Sequence, residues 1–241
     1  KRGSLSLVLP CSYNLIQLVW TLPSSDNTHV PEAPREGSHT RASAYTLSGI
    51  LIYFPILMEL KELKHHWKTL RAELDTLPNT FISEKPRPTG EWEGSEILKE
   101  IVSEYTSGKC GWLKGGQSHV QDEWISWPLF WEGKPVLGNC LKCPKTYELL
   151  SQIKGIHIGG FALMKGGVKL KQHTDSVGSK YKFTYHLGLK CPEDCYLHHY
   201  TLGDLKEEDG KHIIMNARFP HWAENKSEED RVILYIEYYT S

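Results

Sequence analysis

Gln172-His173-Thr174-Asp175 is the stretch on which the reading of this chain turns. In an extended segment, side chains two positions apart share a face. The imidazole of His173 and the carboxylate of Asp175 then converge on one point. His221, far downstream and just ahead of an apolar run, supplies a candidate third ligand. Two histidines and one carboxylate, with open positions opposite, make up the donor set of a non-haem Fe(II) centre. A His and an Asp at this spacing are also commonly joined by a plain hydrogen bond, and the tripeptide alone does not choose between the two. Arg231 opens the run Arg231-Val-Ile-Leu-Tyr-Ile-Glu-Tyr-Tyr239, which reads as a buried strand. A guanidinium at that position suits a bidentate carboxylate clamp.

Outward from this stretch the chain is rich in short strand signals. Ile156 to Met164 is apolar and ends at the Gly166-Gly167 turn. Val168 to His173 alternates and is expected to deliver His173 from the end of a strand. Lys180 to Leu189 alternates with Lys182, Thr184 and His186 on one face. Cys195 to Thr201 and Lys211 to Asn216 read as further strands, separated by the acidic turn Glu207-Glu208-Asp209-Gly210. Asn225 to Asp230 reads as a polar hairpin. Many short strands with turns between them predict a barrel or sandwich, and a site at a barrel mouth fits the metal reading.

The first half is different. Residues 1–44 read as a poorly ordered leader or linker, with a faint signal-like start followed by a polar stretch without period. Tyr45 to Met58 is apolar but short and broken by Pro55. From Leu57, the spacing of Leu60, Leu63, Trp67, Leu70 and Leu74 predicts an amphipathic helix ending near Leu77-Pro78. A second helix is expected over Ser95 to Tyr105, and Pro144 suits the first position of a third that runs to about Ile153. Residues 45–120 are thus expected to form a helical region bracing a barrel domain at 121–241. Three tryptophans within Trp124 to Trp131 are assigned to core or rim, because Trp buries a large area.

The 241 residues carry a formal net charge of −1 and no basic block, so nothing points to nucleic acid. The barrel region contains no long apolar run of membrane-spanning length. Gly108 to Gly116 lacks the ending of a phosphate loop. Cys140, Cys143, Cys191 and Cys195 are compatible with free thiols, disulfides or a zinc site. The compartment is left open, with the cytoplasm favoured.

Several pieces recur in a known order: Trp127-Pro-Leu-Phe-Trp131-Glu-Gly133, Cys143-Pro-Lys-Thr-Tyr-Glu-Leu-Leu150, Lys165-Gly-Gly-Val-Lys-Leu-Lys-Gln-His173, His186-Leu-Gly-Leu-Lys-Cys-Pro192, Phe219-Pro-His221-Trp-Ala-Glu-Asn225-Lys-Ser227 and Arg231-Val-Ile-Leu234. Together they resemble the catalytic domain of the aspartyl/asparaginyl β-hydroxylase family, Fe(II)- and 2-oxoglutarate-dependent dioxygenases. The resemblance implies a mainly β fold: a double-stranded β-helix, or cupin-like jelly roll, with bracing helices N-terminal to it. It implies Fe(II) held by His173, Asp175 and His221, with 2-oxoglutarate and O2 as co-substrates. Arg231 would take the distal carboxylate of 2-oxoglutarate and His186 the C1 carboxylate. The implied substrate is an Asp or Asn in a polypeptide.

Two positions depart from the family pattern. The animal enzymes carry a glycine where this chain has Asp175, whereas relatives that hydroxylate free proline or lipid acyl chains carry the carboxylate. The family also tends to place an Arg where this chain has Thr184, and Lys182 is a candidate substitute by parity. A free amino acid, another small molecule or a lipid therefore stays open as substrate, as does a non-catalytic metal-binding barrel.

Overall fold

The computed structural model describes residues 59–82, 100, 103–114, 124–175 and 181–240, without the side chains of 181, 182, 239 and 240. The chain divides into two compact units, Lys1–Arg41 and Ala42–Ser241. The first unit lies outside the described residues, as do the segment at 45–58 and most of the helix expected before Tyr105.

Nine strands are described. They are β1 (Trp124–Trp131), β2 (Lys134–Pro135), β3 (Ile156–Met164), β4 (Tyr181–Lys190), β5 (Cys195–His199), β6 (Gly203–Lys206), β7 (His212–Asn216), β8 (His221–Asn225) and β9 (Arg231–Thr240). One sheet runs β2-β1-β3-β9-β4-β7 and the other β6-β5-β8. Every pairing between named strands is antiparallel.

Residues 168–173 were expected to be a strand, and here the structure differs. They lie along β8 through isolated bridges at Lys169 and His173. The Leu170 N–H donates to Ala223 O at 2.9 Å, and His173 and His221 exchange backbone bonds at 3.0 and 2.9 Å. The segment completes the small sheet at its edge, but with bonds too sparse for a continuous ladder.

In chain order from β3, the segments go to the large sheet, the small sheet (168–173), large (β4), small (β5, β6), large (β7), small (β8) and large (β9). Antiparallel segments shared in this way between two facing sheets make a double-stranded β-helix.

The period-two pattern of β9 sets its two faces. Val232, Leu234, Ile236 and Tyr238 join Leu187 and Leu189 of β4 in a buried cluster with Leu63, Leu70, Leu74 and Leu150. Those last four come from the bracing helices: a 3-10 turn at Leu63–His66, α1 (Trp67–Leu74) and, after the short α2 (Leu137–Cys140), α3 (Pro144–Ser151). Cys143 gives α3 no side-chain cap. Glu73 of α1 does so instead, accepting from Lys145 N, Thr146 N and Thr146 Oγ1 at 2.7–2.8 Å. The first-turn N–H groups are thereby satisfied, and a negative charge sits at the positive end of α3. Arg71 Nη1 ties α1 to the barrel by donating to Leu189 O at 2.6 Å. The helices thus brace the outer face of the large sheet.

The opposite face of the large sheet looks into the barrel. Met164, Val168, Leu170, Leu197, Met215 and Ala223 form a second buried cluster between the sheets. The Trp-rich segment is a full strand with Trp127 in the core, and its register slips between Pro128 and Phe130. Proline cannot donate to a ladder, so a slip there is its natural consequence.

Candidate metal centre

His173 and His221 face each other across the edge of the small sheet, their ring centroids 4.4 Å apart. Both rings are fixed in the same way. His173 Nδ1–H donates to Lys171 O at 2.8 Å, and His221 Nδ1–H donates to Phe219 O at 2.9 Å. In each case the acceptor is the carbonyl two residues before the histidine. A bonded Nδ1–H leaves the Nε2 lone pair to coordinate.

Asp175 is placed by its backbone, whose N–H donates to Ala217 O at 2.8 Å. His173 Nε2 lies 3.8 Å from one Asp175 oxygen, and His221 Nε2 lies 3.9 Å from the other. Both distances are too long for hydrogen bonds. The His–Asp hydrogen bond that the sequence left open is therefore not what the geometry shows. The three ligand atoms lie within 4.8 Å of one another, as donors around a shared ion do. Among the described residues this is the one cluster of His, Cys, Asp and Glu that could hold a metal, and it leaves out the cysteine pairs.

His221 is buried, while His173 and Asp175 are partly exposed, so the cluster opens toward solvent on one side. Burial, helped by charge at His173 and His186, holds the His221 imidazole below its ordinary value against the Phe219 carbonyl and Asp175. A neutral imidazole is the form that binds metal.

The inward face of the large sheet carries the second half of the site. Thr184 and His186 come from β4, and Arg231 is the first residue of β9. Arg231 is 1% exposed, and its guanidinium lies 5.3 Å from the Trp124 ring centroid. It is paired with a residue that the sequence offered only as part of an acidic turn. Arg231 Nε donates to Glu207 Oε2 at 2.7 Å, and His186 Nδ1 donates to Glu207 Oε1 at 2.9 Å. Burial pushes the Glu207 carboxyl up, but the Arg231 charge and the His186 bond outweigh it and hold the group below the ordinary carboxylate value.

Four buried atoms on these residues have no hydrogen-bond partner among the described residues: Thr184 Oγ1, His186 Nε2, and Arg231 Nη1 and Nη2. Unpaired buried donors are costly and rare in a finished site. The two Arg231 nitrogens and the Thr184 hydroxyl are the complement of a carboxylate ligand. The donor chemistry of this face thus fits a dicarboxylate as well as the His-Asp-His cluster fits a divalent metal. The backbone of Lys182 is in β4, opposite Tyr239, but its side chain lies outside the described residues. Farther along the same face is a cavity of about 110 Å³ lined by Trp124, Ser126, Phe161, Tyr235 and Glu237 among others.

The remaining candidates are structural. Cys140 and Cys143 are free thiols pushed up to about 12 by burial, and Cys195 is pushed up to about 11. Such thiols stay protonated and inert. Trp222, next to His221 in sequence, stacks on His198 with centroids 4.8 Å apart.

The family model for aspartyl/asparaginyl β-hydroxylase matches residues 64–240. Aspartate beta-hydroxylase domain-containing protein 2 from Xenopus tropicalis is 28% identical over 155 residues, covering 58% of this chain and 40% of that protein. Its human counterpart is 29% identical over 155 residues, covering 58% and 41%. The chain therefore spans well under half the length of these curated relatives. Among solved structures, the DMSP lyases RdDddP and RnDddQII are similar at a TM-score of 0.38 and 12% identity, over 76% of this chain and 92% of that one. The Schizosaccharomyces pombe Cnp3 cupin domain is similar at 0.34 and 12%, over 49% and 66%. The family match takes in α1, both sheets and every residue of the two half-sites, and on that extent the chain belongs to the aspartyl/asparaginyl β-hydroxylase family.

Proposed function

We propose that this chain is an Fe(II)- and 2-oxoglutarate-dependent dioxygenase that hydroxylates an unactivated C–H, in the first place the β-carbon of an Asp or Asn residue in a polypeptide. The observation that carries the reading is the convergence of His173 Nε2, His221 Nε2 and the Asp175 carboxylate, with both Nδ1 atoms held by backbone carbonyls. His173, Asp175 and His221 would hold Fe(II). Arg231 would receive the distal carboxylate of 2-oxoglutarate and His186 its C1 carboxylate. Bound iron and 2-oxoglutarate supply the activation of O2 that no protein side chain can.

The chain's own residues do the rest. The i−2 carbonyls keep both imidazoles in the coordinating tautomer. Burial of His221 disfavours its protonated form, which would otherwise compete with the metal. Arg231 offers planar, paired donors to a carboxylate. The apolar cluster of Met164, Leu170, Leu197 and Met215 walls the barrel interior against water, which strengthens these polar contacts. The polypeptide substrate is supported by the family alone. The carboxylate at Asp175 favours a free amino acid, another small molecule or a lipid as the second reading.

The test is an anaerobic titration of Fe(II) and then 2-oxoglutarate, following the visible metal-to-ligand charge-transfer band, with a succinate assay on candidate peptides. A band in the parent that is lost in His221→Ala and weakened in Arg231→Ala is the expected result. Metal binding with neither band nor succinate would overturn the reading in favour of a non-catalytic metal-binding barrel.

A further inference from the structure

The carboxylate of Glu207 joins two side chains that approach it from different strands, and it is itself 3% exposed. Its position follows from how the chain crosses between sheets. β6 ends at Lys206, and the Glu207 N–H then donates to Cys195 O at 2.9 Å, keeping the backbone beside the small sheet. The next residues pass to the large sheet, where Asp209 bridges to Gly188. The Gly210 N–H donates to Gly188 O at 2.9 Å, and the Gly188 N–H to Lys211 O at 3.0 Å. A Cβ at Gly188 would meet the backbone carbonyl of Glu208. The crossing can pass this close to β4 only because residue 188 has no side chain, and that closeness carries Glu207 to His186 and Arg231.

The pattern of contacts says what Glu207 does there. A carboxylate seated as an internal occupant of an anion site would take the paired terminal nitrogens of the arginine, the strongest arrangement open to it. Glu207 instead takes a single bond at Nε and leaves Nη1 and Nη2 without a partner. On His186 it likewise takes Nδ1 and leaves Nε2. An ionised carboxylate only accepts, so the His186 proton is at Nδ1 and the ring is fixed with Nε2 directed away from Glu207. Resting on the dioxygenase reading above, we infer that Glu207 is a positioning residue for the co-substrate. It holds Arg231 and His186 by one nitrogen each, fixing the His186 ring and leaving Arg231 Nη1 and Nη2 as a paired donor set for a carboxylate of a dicarboxylic acid. Glu207 also balances the Arg231 charge while the co-substrate is absent, so the guanidinium is not left buried and unpaired.

The experiment is anaerobic calorimetric titration of 2-oxoglutarate, and of glutarate as a dicarboxylate without the keto oxygen, into Fe(II)-loaded full chain. Parent, Glu207→Asp and Glu207→Gln are compared after Fe(II) affinity and near-UV circular dichroism have been recorded for each. Glu207→Asp keeps the charge but is one methylene too short to reach both partners. It should weaken both dicarboxylates by about tenfold or more, the scale on which orienting groups act, with Fe(II) affinity unchanged. Glu207→Gln keeps the reach but sets an amide NH2 against one of the two donors that Glu207 accepts from, and should also weaken both dicarboxylates with Fe(II) affinity unchanged. Equal affinity in parent and Glu207→Asp would overturn the inference, as would tighter binding in both variants, which would mark Glu207 as a competing occupant. A parent that binds Fe(II) but neither dicarboxylate would overturn the dioxygenase reading itself, and the inference with it.

Discussion

Glu207 and Arg231 stand 24 residues apart in sequence, and their side chains, 2% and 1% exposed, meet at 2.7 Å inside the barrel. A buried ion pair is rarely a net gain over apolar packing, whereas breaking one strands a charge. Arg231→Met is therefore expected to cost about 3–5 kcal/mol of unfolding free energy, and the double change Arg231→Met with Glu207→Leu to recover most of it. Urea denaturation of the singles and the double, read as a double-mutant cycle, measures this. A double variant no more stable than the Arg231→Met single would show that the pair does not act as a unit.

The same pair makes a pH prediction. The Glu207 carboxyl is held below its ordinary value of 4.5 in the folded state. A lowered carboxylate value means that the unfolded chain binds the proton more readily, so the contribution is full above pH 4.5 and is lost as pH falls through the lower folded value. Stability should thus decline more steeply on acidification in the parent than in the Arg231→Met, Glu207→Leu double variant. Parallel acid-denaturation curves would contradict this.

Gly188→Ala would place a methyl group against the Glu208 carbonyl. Overpacking against backbone typically costs about 1–3 kcal/mol. Here it should also displace Glu207, so thermal unfolding should fall and 2-oxoglutarate affinity should fall with it. Gly167→Ala is the control: its Cβ meets nothing within 4 Å, although its φ of 73° carries a backbone cost. It should lose stability without losing affinity.

Asn139, fully buried, ties α2 to two other segments. Its side-chain nitrogen donates to Gly111 O at 3.2 Å and Pro128 O at 2.8 Å, and its oxygen accepts from Gly111 N at 2.9 Å. Asn139→Asp turns that donor into an acceptor facing two carbonyls. The loss should exceed the roughly 1–3 kcal/mol of a single unsatisfied buried group. Chemical denaturation gives the value, and a loss below 1 kcal/mol would mean that the network relaxes around the change.

Asp175→Ala separates the ligand roles. The imidazoles keep their carbonyl partners, so the fold should hold, while Fe(II) affinity should fall by more than the about 10–100-fold that outer-shell changes cost. Competition against a chelator with known affinity provides the readout. Unchanged Fe(II) affinity would leave a two-histidine centre.

The sequence by itself carried the architecture and named the residues that converge in the candidate metal centre. Period-two strands, the Leu63-Leu70-Leu74 stripe and Pro144 at a helix start are local signals, because strand alternation, helical periodicity and a missing N–H act within a few residues. The order of motifs around His173, Asp175, His221 and Arg231 was legible by resemblance to the family rather than from any local period. Tertiary structure decided the rest. Residues 168–173 alternate like a strand, yet lie at a sheet edge with sparse bonds, which depends on the neighbour and not on the pattern. Glu207 sits among Glu208, Asp209 and Gly210, where sequence predicts a solvated turn. Its burial comes from two residues on other strands, brought within reach by the crossing at Gly188. No local period or propensity encodes a carboxylate whose stability depends on charges distant in the chain, so the closure of the barrel alone placed Glu207 behind Arg231 and His186.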